Sequence, residues 1–483
     1  MKKTGSFDYD AVVVGSGPNG LAAAILLQQN GLSVLLMEGK DKIGGGLRTE
    51  ELTLPGFLHD VCSAVHPMAV ASPFFETLPL GEYGLEYIYP EVAAAHPFDD
   101  GSAAILKKSV FETAELLGKD KNAYLKLVPP LVKSWPDIAA DVLAPLHFPK
   151  NPYAMARFGL NALAPATLLA RRFNTEKGKG LFAGMAAHSI QPLNNMATSA
   201  IALVLMANGH IKGWPIPKGG SKKISDALAL YFAFLGGKIE TNRYISSLDQ
   251  LPSARAVLFD VTPKQLLIIA GHKFSSIYQW QIERYRYGMG VFKVDWALDG
   301  PIPFRAEEIK HAGTVHIGGT LQEIAESERL TAAGLHPEKP FVLLAQQSLF
   351  DPSRAPKGKH TAWAYCHVPN GSFKDMTEAI EKQVERFAPG FRERIIGKST
   401  MNARQLENYN PNYIGGDING GIINLGQLFT RPALRRSPYR TSAKGIYICS
   451  SSTPPGGGVH GMCGYHAAKR ALKDIFNINV KLN

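Results

Sequence analysis

Cysteine is scarce. Four occur in 483 residues (Cys62, Cys366, Cys449 and Cys463), and no two stand at CxxC spacing. That excludes a dithiol redox centre and a zinc knuckle. Reduced thiols point to a cytoplasmic setting. Long apolar runs are missing as well: no stretch reaches the roughly 18 to 20 residues that a membrane-spanning helix requires. Met1 to Gly5 lead almost at once into a strand without an apolar signal-type segment, which again predicts a cytoplasmic chain. Blocks of like charge are absent, so the net charge of +11 reads first as dispersed surface lysine and arginine. No helix-turn-helix, zinc-finger or RNP-like pattern is written, and no nucleic-acid partner is expected. The histidines are scattered without ligand spacing, so no metal is expected either. What is present is a globular composition, 45% apolar and 19% charged, in a chain long enough for two or three domains.

The N-terminal fifty residues carry the strongest signal. Tyr9 to Val14 reads as a buried parallel strand. It enters Gly15-Ser16-Gly17-Pro18-Asn19-Gly20, and a helix from Leu21 to Gln29 follows, stopped by Asn30-Gly31. Ser33 to Met37 is a second strand, ending on Glu38. This order is that of a dinucleotide site. Gly15 makes the tight turn, Gly17 lets backbone approach a pyrophosphate, and Gly20 permits close helix–strand packing. The helix N-terminus offers N–H groups and a partial positive charge to phosphate. Glu38 accepts the ribose hydroxyls and disfavours the extra phosphate of NADP. A second run, Gly44-Gly45-Gly46-Leu47-Arg48-Thr49, selects FAD over NAD: GGxxRT after the acidic residue is typical of large flavoproteins, with Arg48 as a fixed cation for phosphate.

The chain then leaves this domain and returns to it. Residues 1–71, 196–272 and 433–483 read as three pieces of an FAD-binding domain, and 72–195 and 273–432 as two pieces of a substrate domain. The first insert is proline-rich with helical periodicity, and the second carries alternating, aromatic-rich strands of an antiparallel sheet. Near the C-terminus the strand Gly445 to Cys449 runs into a glycine loop, and a helix follows with Tyr465, Ala468, Leu472 and Ile475 on one face. Ser450, Ser451, Pro455, Gly457, Gly458 and Val459 of that loop are expected at the flavin, where a helix dipole stabilises the reduced form.

With these motifs the chain resembles the phytoene desaturase-like branch of the FAD-dependent amine oxidase superfamily. The resemblance covers nearly the whole sequence and includes Asp351-Pro352-Ser353-Arg354-Ala355-Pro356. It implies an α/β fold: a doubly wound, three-layer Rossmann-type domain interrupted by an α+β substrate domain with an antiparallel sheet and a helical cap. It implies non-covalent FAD, with flavin N5 taking hydride from a mostly apolar, unsaturated small molecule that is dehydrogenated or isomerised. Alternatives are a flavin amine oxidase and a flavin-bearing binding protein without turnover. His66, His460 and Tyr465 are the catalytic candidates carried forward, with His188 as a further possible base. Only one dinucleotide fingerprint is written, so oxygen or a quinone is the expected electron acceptor. Residues 139–173 alternate apolar side chains with Lys150, Arg157, Arg171 and Arg172, while prolines keep the helical pieces short. That pattern suits a helix pair of the insert domain that packs on the sheet or lines the pocket, and, as the alternative, peripheral membrane contact.

Overall fold

The computed structural model describes residues 7–428 and 430–480. Five parallel strands form one sheet, in the order Ile446–Ile448, Ala254–Phe259, Tyr9–Val14, Val34–Met37, Lys238–Glu240. The two central strands are apolar almost without interruption because helices cover both faces. On one face Ala11, Val13, Val34 and Leu36 pack against Pro18–Gln29, Lys222–Phe234 and Met462–Ala471. On the other, Val12, Val14, Leu35 and Met37 meet Pro263–Ala270 and Ser276–Glu283. The period-two alternation of a strand thus feeds two separate cores, and the expected three-layer α/β arrangement is observed.

A second sheet has seven strands, in the order Ile395–Met401, Gly290–Leu298, His360–Val368, Val342–Ala345, Ala312–Ile317, Val92–Pro97, Ala103–Lys107. All neighbours are antiparallel except Ala312–Ile317 with Val92–Pro97. The first insert therefore supplies two strands where helical periodicity was the expectation. Pairing with a neighbour outweighs the weak helix preference of the alanine-rich Val92–Pro97. One face of this sheet buries Val294, Trp296 and Ala364 against Thr377–Phe387. The opposite face carries Leu343, Trp363 and Tyr365 towards the helices Lys121–Val142, Pro152–Ala162, Glu176–Ala187 and Thr198–Ile211.

Two segments pack away from the piece to which the sequence assigned them. Thr198–Ile211 shares its core with the helices of the seven-stranded layer, and Ser276–Glu283 shares its core with the parallel sheet. Both are apolar helices whose partner is chosen by tertiary packing rather than by their own pattern.

Candidate active site

A cavity of about 460 Å³ runs between the two sheets, within the usual range for small-molecule sites. Its nucleotide-like end is built by the first glycine loop. The helix Pro18–Gln29 starts with Gly17 at the cap and proline in its first turn, and no side chain caps it. Gly20 N donates instead to Asp260 Oδ2 at 2.9 Å. A Cβ on Gly20 would lie 1.9 Å from Gly15 O, so glycine is obligatory there. The space beside Gly17 has a different occupant from the one its motif suggests: a Cβ there would meet Asp260 Oδ2 at 2.7 Å.

Glu38 is buried at the end of its strand. Its Oε2 accepts from Ser16 N at 3.1 Å and Ser16 Oγ at 2.5 Å, and its Oε1 from Lys40 N at 2.9 Å. Arg48, expected as a fixed cation for phosphate, is held by the protein itself. Its Nη2 donates to Lys42 O at 2.7 Å and reaches Glu38 Oε1 at 3.4 Å, and its guanidinium lies over the Tyr409 ring. The arginine is thereby fixed as a partner of the acid.

The structure gathers Gly15, Gly17, Pro18, Asn19, Glu38, Gly45, Gly46, Arg48, Ser450, Ser451, Gly457, Gly458 and Val459 on this one wall, together with His66 and His188. Strands separated by more than four hundred residues in sequence meet here because Ala254–Phe259 lies between the first and last strands of the sheet. Arg431 holds the C-terminal loop in place, donating from Nη2 to Ser451 O at 2.7 Å and from Nε to Ser452 O at 3.3 Å.

Other candidates stand elsewhere. Gly20 and Gly44 lie behind the wall, Gly44 N donating to Ser16 O at 3.1 Å. Thr49 is a structural link: its Oγ1 donates to Asp60 Oδ1 at 2.8 Å and accepts from Lys222 N at 3.1 Å. Pro455 is off the wall. So is His460, whose Nδ1 accepts from Met462 N at 3.0 Å and so serves the start of the last helix. Tyr465 belongs to the hydrophobic core, its ring 5.1 Å from that of Phe74. Its helical stripe faces inward for packing, and a catalytic role for His460 or Tyr465 is not supported by their positions.

His66 is the catalytic candidate that does reach the cavity. Ser221 Oγ gives its proton to Ser63 O at 2.6 Å, so His66 Nε2–H donates to Ser221 Oγ at 2.8 Å. His66 Nδ1 then carries the lone pair, buried and without a partner among the described residues. Burial pushes this imidazole down to about 4.

Several wall residues carried no sequence signal: Asp260, Tyr409, Asn412, Tyr413, Trp363 and Tyr365. Asp260 directly follows a strand that pairs with Tyr9–Val14, and a strand-end acid beside a glycine loop could have been noticed. The others come from distant segments brought in by the second sheet.

Residues 13–77 match the model of the NAD(P)-binding Rossmann-like domain family. Along nearly its whole length the chain is similar to mouse pyridine nucleotide-disulfide oxidoreductase domain-containing protein 2, at 25% identity over 98% of this chain and 94% of that protein. It is also similar to the lycopene-forming phytoene desaturase of a Paracoccus species, at 22% identity over 94% of this chain and 95% of that protein. Among solved structures it shares the fold of a putrescine oxidase bound to putrescine, with 17% identity, a TM-score of 0.62, and coverage of 97% of this chain and 99% of that one. Motifs, fold and full-length likeness together make the chain an oxidoreductase, similar at low identity to phytoene desaturases and sharing the fold of putrescine oxidase.

Proposed function

We propose that the chain binds FAD non-covalently and dehydrogenates or isomerises a mostly apolar, unsaturated small molecule. The observation that carries this reading is the composition of the cavity wall. Beyond the glycine loops it is formed by Ile201, Val204, Leu205, Trp214, Leu343 and Trp363, and its only carboxylates among the described residues are Glu38 and Asp260 at the nucleotide end. A cationic amine would find no counter-ion beside those apolar side chains.

The residues present fit the cofactor. At the start of helix Pro18–Gln29 the N–H groups of Gly17 and Asn19 are left for a diphosphate, Gly20 N being taken by Asp260. Glu38 stands at the ribose position. Asn19 Oδ1 and the Tyr409 hydroxyl are buried on the wall with no protein partner among the described residues, as groups awaiting a ligand are. The Ser450, Ser451, Gly457, Gly458 and Val459 loop would hold the pyrimidine edge of the ring. When bound, the flavin supplies the hydride-accepting centre. The chain's own part is to orient an apolar molecule against Trp363 and Tyr365, exclude water, and offer the lone pair of His66 Nδ1 as a proton acceptor.

The amine oxidase reading has one observation in its favour, the perpendicular Trp363–Tyr365 pair with ring centroids 5.2 Å apart. Against it, the buried Lys293 on the same sheet is bound to Asp295 and lies off the wall. The chain carries one dinucleotide fingerprint, so oxygen or a quinone is the proposed electron acceptor. Entry of an apolar molecule is proposed through peripheral membrane contact. Helix Pro152–Ala162 packs on Thr198–Ile211, which contributes Ile201, Val204 and Leu205 to the wall.

Purified protein is expected to be yellow and to release FAD on heating. Anaerobic bleaching of that flavin by a conjugated polyene, and not by aliphatic amines, is the expected result. Bleaching by amines alone would support the amine oxidase reading, and a flavin inert to both classes the binding protein.

A further inference from the structure

The cavity holds a polar subsite that the reading above leaves unused. His188 follows the helix Glu176–Ala187 and lines the wall. His316 lies fully buried on the strand Ala312–Ile317. Their Nε2 atoms are 2.9 Å apart. Two imidazole nitrogens at that distance share one proton, so one ring donates and the other accepts. His316 Nδ1 decides which. It is buried without a partner among the described residues and faces Gly184, where an added Cβ would sit 2.6 Å away. A proton there would be an unmet buried donor, which proteins avoid more strictly than an unmet acceptor. The proton of His316 is therefore on Nε2, given to His188 Nε2.

Neutral His188 then carries its own proton on Nδ1. Burial keeps both rings neutral, pushing His188 down to about 3 and His316 well below the usual imidazole range. His188 Nδ1 has no hydrogen-bond partner among the described residues, and His188 is the half-buried member of the pair. Two residues before His316, Thr314 also lines the wall; it is 1% exposed, and its Oγ1 has no partner among the described residues. An N–H and a hydroxyl thus stand unmet on one wall, amid Trp214, Leu205 and Leu343. Leaving the buried Thr314 hydroxyl unmet is costly unless a ligand atom meets it.

We propose that the substrate is an apolar molecule bearing an oxygen acceptor, a carbonyl or hydroxyl, and that His188 and Thr314 seat that oxygen while His316 fixes the tautomer of His188. The substrate is then not a pure hydrocarbon. This rests on the proposed function only in placing the substrate in this cavity.

The test compares two probes of one skeleton, the hydrocarbon limonene and its ketone carvone. Binding is read from the fluorescence of the wall residues Trp214 and Trp363 and from the flavin spectrum. Carvone is expected to bind about 10-fold more tightly than limonene, the scale of one hydrogen bond to an otherwise unmet donor. His188→Phe should abolish that preference and His188→Gln, which keeps an N–H donor, should restore part of it. Thr314→Val, nearly isosteric, should weaken the preference without unfolding the protein. Equal affinity for the two probes, no binding of carvone, or a preference intact in both His188→Phe and Thr314→Val would overturn the proposal. A flavin-free protein that still prefers carvone would refute the flavoenzyme reading and leave this one standing; a flavin-loaded protein with no preference would do the reverse.

Discussion

The most consequential single residue on the wall is Asp260, whose carboxylate lies against the glycine loop. Burial pushes its pKa up to about 7; the hydrogen bond from Gly20 N opposes that rise and Glu38 adds to it. In the unfolded chain an aspartate titrates near ~4. The folded state therefore binds the proton more tightly, and its stabilising effect is complete below about pH 4 and is lost as pH rises through about 7. Asp260→Asn keeps an acceptor for Gly20 N–H but never ionises. Its melting temperature is expected to exceed that of the wild type at pH 8.5 and to approach it at pH 5.5; a constant difference across that range would contradict the argument. A diphosphate at Gly17 would add further repulsion. FAD affinity is accordingly expected to fall above pH 7 in the wild type and to stay level in the variant, as titration calorimetry would show.

At the scale of elements, the Asp351–Pro356 loop finds its purpose in a buried ion pair. Arg354 and Asp60 are paired with both side chains wholly enclosed. Asp60 also accepts from Ser221 N at 2.8 Å and Thr49 Oγ1 at 2.8 Å, which ties Leu58–Asp60 to the start of helix Lys222–Phe234. Burial alone would raise the Asp60 pKa, but Arg354 and these hydrogen bonds outweigh it and hold it below the ordinary value. Arg354→Met leaves that carboxylate buried and uncompensated, and is expected to cost about 3–5 kcal/mol in chemical denaturation. Adding Asp60→Asn should recover much of the loss. A double variant as unstable as the sum of both changes would show that the two residues act separately.

Among the described residues, several of the most exposed apolar side chains fall in one segment. Leu146, Phe148, Tyr153 and Leu160 are 79%, 83%, 79% and 81% exposed, and Lys150, Arg157, Arg171 and Arg172 stand exposed in the same segment. The inner side of helix Pro152–Ala162, at Ala154, Phe158 and Ala162, is buried, so packing leaves Tyr153 and Leu160 unaccounted for. Among the described residues no helix is long and apolar enough to cross a membrane. Sedimentation with anionic liposomes at low salt is expected to bring the protein down, and binding should weaken as ionic strength rises. Phe148→Ser with Leu160→Ser should abolish it. Protein that remains in the supernatant with anionic vesicles would refute the membrane proposal.

The sequence by itself determined the nucleotide-binding half. A tight turn, a close helix–strand approach and an acid at a strand end are local demands, each met by residues within the first fifty positions. The C-terminal glycine loop was legible for the same reason. What only tertiary structure decided was everything that depends on which surfaces meet. Tyr465 lies on an apolar helical stripe, and sequence alone does not say whether such a stripe faces core or cavity; packing against Phe74 settled it. Val92–Pro97 became a strand because a neighbouring strand offered its hydrogen bonds. Arg48 was legible as a fixed cation, yet the acid it pairs with was not. Thr314 and the His188–His316 pair were invisible because a pocket is a property of juxtaposed segments, here more than a hundred residues apart, and no local pattern records who the neighbour will be.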